Sequence, residues 1–489
     1  MTDDTDRWVP EARLTGDLPV TDAASAAEHV PDDATMLVSG FGSVGYPKAA
    51  PLALADSARD GDRDLALTVV SGGSVGSEID TALVEAGAVA RRYPYVGTPE
   101  ARAAANEDRM AMHDRHVSAV ADEARFGHYG QPDVAVVEAV ACGPDWLVPS
   151  GSLGQTPAFV EAADALVVEV NDHLPRELAL VHDVWTPADP PDRDPIPLTE
   201  PGERIGSPRI AFDPAKLRAV VRTDRPDDAY EFRDPTPEVE AVAANLREFL
   251  AGAVDRPPCP GRLRMQFGVG SLGNAMMAEL AEMDAPVEYV GEVIQDGLLD
   301  MVDDGDLSVV SGTALALSHE GQDRLFADLE RYAEAVVLRP AEVSNAPGVV
   351  SRMGVIAVNA AAEVDLYGHV NSTHVEGSRL LNGLGGSGDF WRNAGLSVVA
   401  VPSTAGGGDI SRVVPMATHV DHTEHDVDVL VTDHGVADLR GTSPRERSER
   451  ILACAAPEFR DDLRAYLDRA NAGGGHEPHD LSSAFDWRG

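Results

Sequence analysis

Residues 262–305 read RLRMQFGVGSLGNAMMAELAEMDAPVEYVGEVIQDGLLDMVDDG. The segment opens with a short apolar run and continues through Gly268-Val269-Gly270-Ser271-Leu272-Gly273-Asn274. A helical pattern then covers 275–283, and a β-rich run over 287–290 ends on Gly291-Glu292. Strand, glycine loop, helix and strand in this order build an open α/β sheet, which presents ligand-binding groups outside the carboxyl ends of its strands. The loop is a backbone nest whose amides can hold a negative charge. Glu292 falls at a strand end, where a carboxylate can act as nucleophile while glycine-loop amides stabilise the oxyanion it creates.

The same design occurs upstream. A strand over 34–39 leads into Gly40-Phe41-Gly42-Ser43-Val44-Gly45, a helix over 49–59, a strand over 65–70 and the turn Ser71-Gly72-Gly73-Ser74. In this overlay Ser71 falls where Glu292 falls, and Ile79-Asp80 answers Leu299-Asp300. A repeated supersecondary unit predicts two homologous open α/β domains with the active site between them. The expected boundaries are an N-terminal arm at 1–30, domains at 31–230 and 231–470, and a loose tail at 471–489, with the Pro- and Asp-rich stretch 224–237 as linker. Further strands are expected at 134–140, 165–170, 307–310, 335–338, 356–359, 396–401 and 427–431.

Composition bounds the partners. The chain of 489 residues carries a formal charge of −43, which disfavours nucleic acid and anionic membranes as partners. Lys48 and Lys216 are the only lysines, and the acids are scattered along the chain. That is the surface of a halophilic protein in a cytoplasm of concentrated salt, where screening removes self-repulsion. The thermal midpoint is therefore expected to fall when salt is lowered from molar to about 0.1 M, and an unchanged midpoint would count against this reading. Cys142, Cys259 and Cys454 form no paired motif, so neither a disulfide framework nor a zinc site is indicated. No signal-peptide pattern opens the chain, and no window has the apolar length of a membrane span.

Three motifs admit rival readings. The Gly-x-Gly-x-x-Gly loops could hold a dinucleotide, with Glu288 as the ribose acid, but that acid should end the second strand and Glu288 lies inside it. The run from Asn382 to Phe390, with Gly383, Gly385, Gly386 and Gly388, is a second anion nest, because amides without side chains allow close approach. His369, His374, His419, His422 and His425 are dense enough for a metal, yet no thiolate or well-spaced carboxylate defines a geometry, so no metal is expected.

Taken together, the motifs resemble the acetyl-CoA hydrolase/CoA-transferase family, and within it the succinyl-CoA:acetate CoA-transferase type. The residues carrying the resemblance are Gly45-Tyr-Pro-Lys48, Gln266-Phe-Gly-Val-Gly270 with Asn274, Glu292-Val-Ile-Gln-Asp296, and Ser344-Asn345. Glu363 to His374, Gly383 to Phe390, and Gly435 to Gly441 complete the set. The resemblance implies Glu292 as nucleophile, oxyanion amides at Val269 and Gly386, and Asn345 in support. It also implies CoA contacts around Gly268, Gly270, Asn274, Gly385, Gly388 and Ser71. Two departures are Asp433-His434 where the family usually has Glu-Tyr, and Thr442 where Lys is common.

The implied activity is CoA transfer between a short-chain acyl-CoA and a small carboxylate through a glutamyl-CoA thioester, with coenzyme A as substrate and no cofactor. An acetyl-CoA hydrolase would use the same Glu with water as acceptor, and a dinucleotide-dependent oxidoreductase is the reading from another class. Arg91, Arg92, Arg222 and Arg225 are candidates for an acceptor carboxylate. A homodimer is expected as the commonest state of soluble enzymes.

Overall fold

Strand Val134–Cys142 is buried at all nine of its positions, as the centre of a parallel sheet covered on both faces must be. The computed structural model that contains it describes residues 8–228, 233–254, 256–258, 261–268 and 270–485. The chain divides into two units, Met1–Glu231 with Tyr289–Val349, and Phe232–Glu288 with Val350–Gly489. No described helix is long and apolar enough to cross a membrane.

In the first unit the sheet runs Val20–Thr21, Leu217–Thr223, Ala165–Asn171, Val134–Cys142, Thr35–Val38, Leu67–Val70, Val89–Tyr93 and Ala111–Met112, all parallel. The arm read at 1–30 adds the edge strand Val20–Thr21 and is stapled by Arg13. That guanidinium donates to Val140 O and Asn171 O at 3.1 Å and to Leu174 O at 2.7 Å. Helix Ala49–Arg59 follows the first glycine loop, and Glu169 on a neighbouring strand accepts from Lys48 N, Ala49 N and Ala50 N at its start. Tyr289–Val349 contributes the parallel pair Leu307–Gly312 and Val336–Leu338, and the short pair Val293–Ile294 and Ala314–Leu315. Leu153 N and Gly154 N both donate to Thr313, which joins this segment to the rest of its unit.

Lys48 is wholly buried, which explains one lysine in a chain that otherwise uses arginine. Its Nζ lies 2.6 Å from Glu138 Oε2 and 2.8 Å from Asp227 Oδ1, and donates to Tyr46 O at 2.9 Å. Burial opposes its charge, but Glu138 and Asp227 more than offset that and raise its pKa. A flexible ammonium can meet three acceptors in a space too small for a planar guanidinium.

In the second unit parallel strands run Leu263–Phe267, Ile356–Asn359, Leu396–Ala400 and Val429–Thr432, and Gly435–Asp438 closes the edge antiparallel. Helix Pro237–Ala251 starts at an N-cap Thr236 and buries Val242, Leu246 and Leu250. The repeat read in the sequence is present, since Leu263–Phe267 leads through Gly268–Gly270 into helix Ser271–Ala281 as Thr35–Val38 leads into Ala49–Arg59. The second helix starts four residues before the expected 275, because Gly270 at φ 128° turns the chain directly into it. The stretch after Gly473, read as loose, is anchored where Tyr367 Oη donates to Pro478 O at 2.5 Å and Tyr466 Oη meets His479 Nδ1 at 2.9 Å.

Candidate active site

Strand Val287–Val290 ends at Gly291, where a side chain would crowd Tyr289. A Cβ at 291 would lie 2.5 Å from the Tyr289 hydroxyl, which reaches past it to donate to Val293 O at 2.9 Å. Gly291 N donates to Ser311 O at 3.0 Å, while Glu292 O accepts from Thr313 N at 2.6 Å and Ala314 N at 3.1 Å. The backbone of Glu292 is thus fixed on both sides and its side chain is left half-buried. Burial, and after it the Glu292 charge, raises the Tyr289 pKa, so the phenol stays a donor.

Asn345 completes this arrangement within the first unit. It is fully buried behind helix Ala341–Ser344, and Ser344 Oγ donates to its Oδ1 at 2.8 Å. That bond turns the amide so that Nδ2 donates to Glu292 Oε1, also at 2.8 Å. One carboxylate oxygen of Glu292 is thereby held in place.

The other residues named from the sequence lie as follows. Ser71 is wholly buried and spends its hydroxyl on Gly73 O within its own turn. In the second unit Gly268 follows a buried amide pair, with Gln266 Nε2 donating to Asn359 Oδ1 at 3.0 Å and Asn359 Nδ2 returning to Gln266 Oε1 at 2.9 Å. Val269 lies outside the described residues. Gly270 O accepts from Asn274 N at 3.0 Å. Gly385 holds φ 63°, and Gly386 is buried just ahead of helix Ser387–Trp391, which contains Gly388. Among the described residues no acceptor is found for Gly386 N–H. Buried amides usually have a partner, so this one stands out among the described residues.

Glu288 does not act as a ribose acid, because Arg264 at 2.7 Å and Arg262 at 3.2 Å occupy it. Of the four arginines, Arg92 is buried against Asp80 and Arg222 is paired with Asp172. Arg91 and Arg225 are exposed with no ion pair among the described residues, and Asn171 clasps the Arg225 backbone through both its amide atoms. His374, His419 and Asp421 come within the 4.8 Å that three ligands of one ion require. The structure thus brings a carboxylate, not anticipated from the sequence, beside two of the histidines, and Asp421 also accepts from Ser372 N, Thr373 N, Thr373 Oγ1 and His419 Nε2. A cavity of about 730 Å³ in the same unit is lined by Glu363, Glu376, Asp409 and Asp462 against Arg412 and His374, a poor host for anions, and neither Glu292 nor Asn345 lines it.

Sequence reasoning missed Tyr289, Ser344 as the orienting hydroxyl, and the Lys48 cluster. For the last a signal existed, namely a lysine in a nearly lysine-free chain. For the others none did, because they act by fitting against residues distant in sequence.

Comparison with known proteins bears on these arrangements. Residues 18–222 match the acetyl-CoA hydrolase/transferase N-terminal domain and residues 321–467 its C-terminal domain. The chain is 40% identical over 473 residues to succinyl-CoA:acetate CoA-transferase of Clostridium kluyveri, covering 96% of this chain and 88% of that one. It is 38% identical over 471 residues to acetyl-CoA hydrolase of Yarrowia lipolytica, covering 91% of this chain and 90% of that one. The fold is similar to that of RipA from Yersinia pestis, with TM-score 0.71 and 22% identity over 92% of this chain and 97% of that one. The chain therefore belongs to the acetyl-CoA hydrolase/transferase family and is an enzyme of it, a transferase or a hydrolase of CoA thioesters.

Proposed function

We propose that the protein is a CoA-transferase moving CoA between a short-chain acyl-CoA, acetyl-CoA or succinyl-CoA, and a carboxylate, through a glutamyl-CoA thioester on Glu292. The observation that carries this is the Asn345 Nδ2–Glu292 Oε1 bond at 2.8 Å, oriented from behind by Ser344. A carboxylate oxygen of Glu292 attacks the thioester carbonyl, the tetrahedral oxyanion collapses, and the C–S bond breaks to release CoA thiolate and leave a mixed anhydride. The thiolate attacks the glutamyl carbonyl, expelling the donor's carboxylate and forming the glutamyl thioester. An acceptor carboxylate then runs the same steps in reverse. The amides of Gly386 and, on the resemblance, Val269 stabilise the oxyanion, with Gly268, Gly270, Asn274, Gly385, Gly388 and Ser71 around the CoA. No atom changes oxidation state in these steps, so they need no redox cofactor, and coenzyme A enters as substrate. Arg91 and Arg225 are the remaining candidates for the acceptor carboxylate. The enzyme works as a homodimer in a salt-rich cytoplasm.

Hydrolysis is the second reading, supported by relatives bearing that name at similar identity. Free CoA release from acetyl-CoA separates the two. A transferase gives less than one CoA per Glu292 without acceptor and turns over once succinate is added, whereas steady release without any acid marks a hydrolase.

A further inference from the structure

The loop that carries the Gly386 amide is almost without side chains. From 383 to 388 it has Gly, Leu, Gly, Gly, Ser and Gly, and such a backbone keeps one amide orientation only if something outside holds it. His422 is in that position. It is fully buried, and its backbone is paired with Val370, which donates to His422 O at 2.8 Å and accepts from His422 N at 3.1 Å. Its Nε2 meets Ser387 Oγ at 3.1 Å, and its ring stands edge-on to Trp391 at 4.5 Å and 79°. Trp391 is itself fixed by donating Nε1–H to Val398 O at 3.1 Å. One imidazole therefore grips the first and last residues of the short helix Ser387–Trp391.

The hydroxyl of Ser387 has one proton, and it donates to Leu384 O at 3.1 Å. With that proton spent, the contact to His422 is made by Nε2–H donating to Oγ, and Ser387 ties the imidazole to the carbonyl at the head of the loop. Gly386 sits between the two ends of this bridge, Leu384 O and Ser387 Oγ.

We propose that His422 is a positioning residue, acting through Ser387 to hold the Gly386 amide where the oxyanion develops. This rests on the reading of Gly386 as an oxyanion donor. It deepens that reading by naming what gives a glycine loop the fixed dipole such catalysis requires.

The test uses the full-length enzyme with acetyl-CoA and succinate. His422→Phe keeps the ring beside Trp391 and removes the nitrogen. It is expected to lower kcat by about ten- to a hundredfold, with KM for acetyl-CoA changed by less than about threefold, since the lost interaction belongs to the transition state. Ser387→Ala should do the same, and the double variant should be no slower than the worse single one, because both break one chain of contacts. His422→Gln, which can place an N–H near the lost nitrogen, should recover most of the loss. A folded His422→Phe with kcat within about twofold of the parent overturns the proposal, as do losses confined to KM or additive in the double variant. If His422→Phe does not fold, Ser387→Ala carries the same expectations alone. Turnover by Glu292→Gln, or a parent that never forms a CoA adduct, defeats the nucleophile reading itself and this proposal with it, a result distinct from failure at 422.

Discussion

Glu292→Gln is expected to lose CoA exchange by about ten-thousandfold or more, the scale on which removal of a covalent nucleophile acts. The substitution preserves shape and the chance of an amide contact with Asn345 while removing the charge that attacks. Incubating the parent with an acyl-CoA and no acceptor should leave CoA joined to the protein, visible as intact mass. Borohydride should reduce that thioester to an alcohol on the peptide holding Gly291 to Asp296. The Gln variant should show neither. Glu292→Asp is also expected to be poor, by about a hundredfold, since one methylene withdraws the attacking oxygen by about 1 Å. Asn345→Ala tests the geometry separately. Removing a charge-assisted hydrogen bond of about 1.5–3 kcal/mol should slow adduct formation by about ten- to a hundredfold without moving it to another residue. An adduct on Glu288 or Glu363 would relocate the site, and an active Gln variant without adduct would end the mechanism.

What the sequence revealed and what it hid follow a physical division. Strand Ile356–Asn359 and helix Ala49–Arg59 were legible to the residue, because apolar periodicity and the turns that bound them are local. The place of Glu292 just beyond a strand and beside a glycine was legible, because that arrangement is local. The course of 289–349 was not. That its Thr313 accepts from Leu153 N and Gly154 N, or that Arg339 pairs with Asp183, depends on groups meeting across long separations in the chain. The resemblance named Asn345, but not Ser344 as its orienting group, since a hydroxyl next in sequence has no periodic signature. The acidic residues misdirect in one place. Most of them are surface charges, while Glu138, Glu169 and Asp227 are buried around Lys48 and the loop it follows, and composition cannot distinguish the two uses. Burial pushes Glu138 up to about 7 against the pull of Lys48. A cluster of that kind is held by structure and would be costly to break.

Gly386→Pro should collapse turnover by about a hundred- to a thousandfold, the cost of deleting one oxyanion donor. Proline removes the N–H and keeps the carbonyl. Gly386 precedes helix Ser387–Trp391, so its N–H makes no helical bond, and its carbonyl, which accepts from Phe390 N at 3.1 Å, survives the change. The native φ of −89° lies within about 25° of the value proline imposes, so backbone strain is small at 386 itself. Gly386→Ala is the necessary companion, because φ −89° is ordinary for any L-residue and alanine keeps the amide. The Ala variant should therefore retain at least about ten times the kcat of the Pro variant, with both melting near the parent. If the two are equally impaired, the added side-chain bulk is responsible and not the amide. If the folded Pro variant turns over like the parent, Gly386 N–H contributes nothing to the oxyanion, and its lack of an acceptor among the described residues needs another cause.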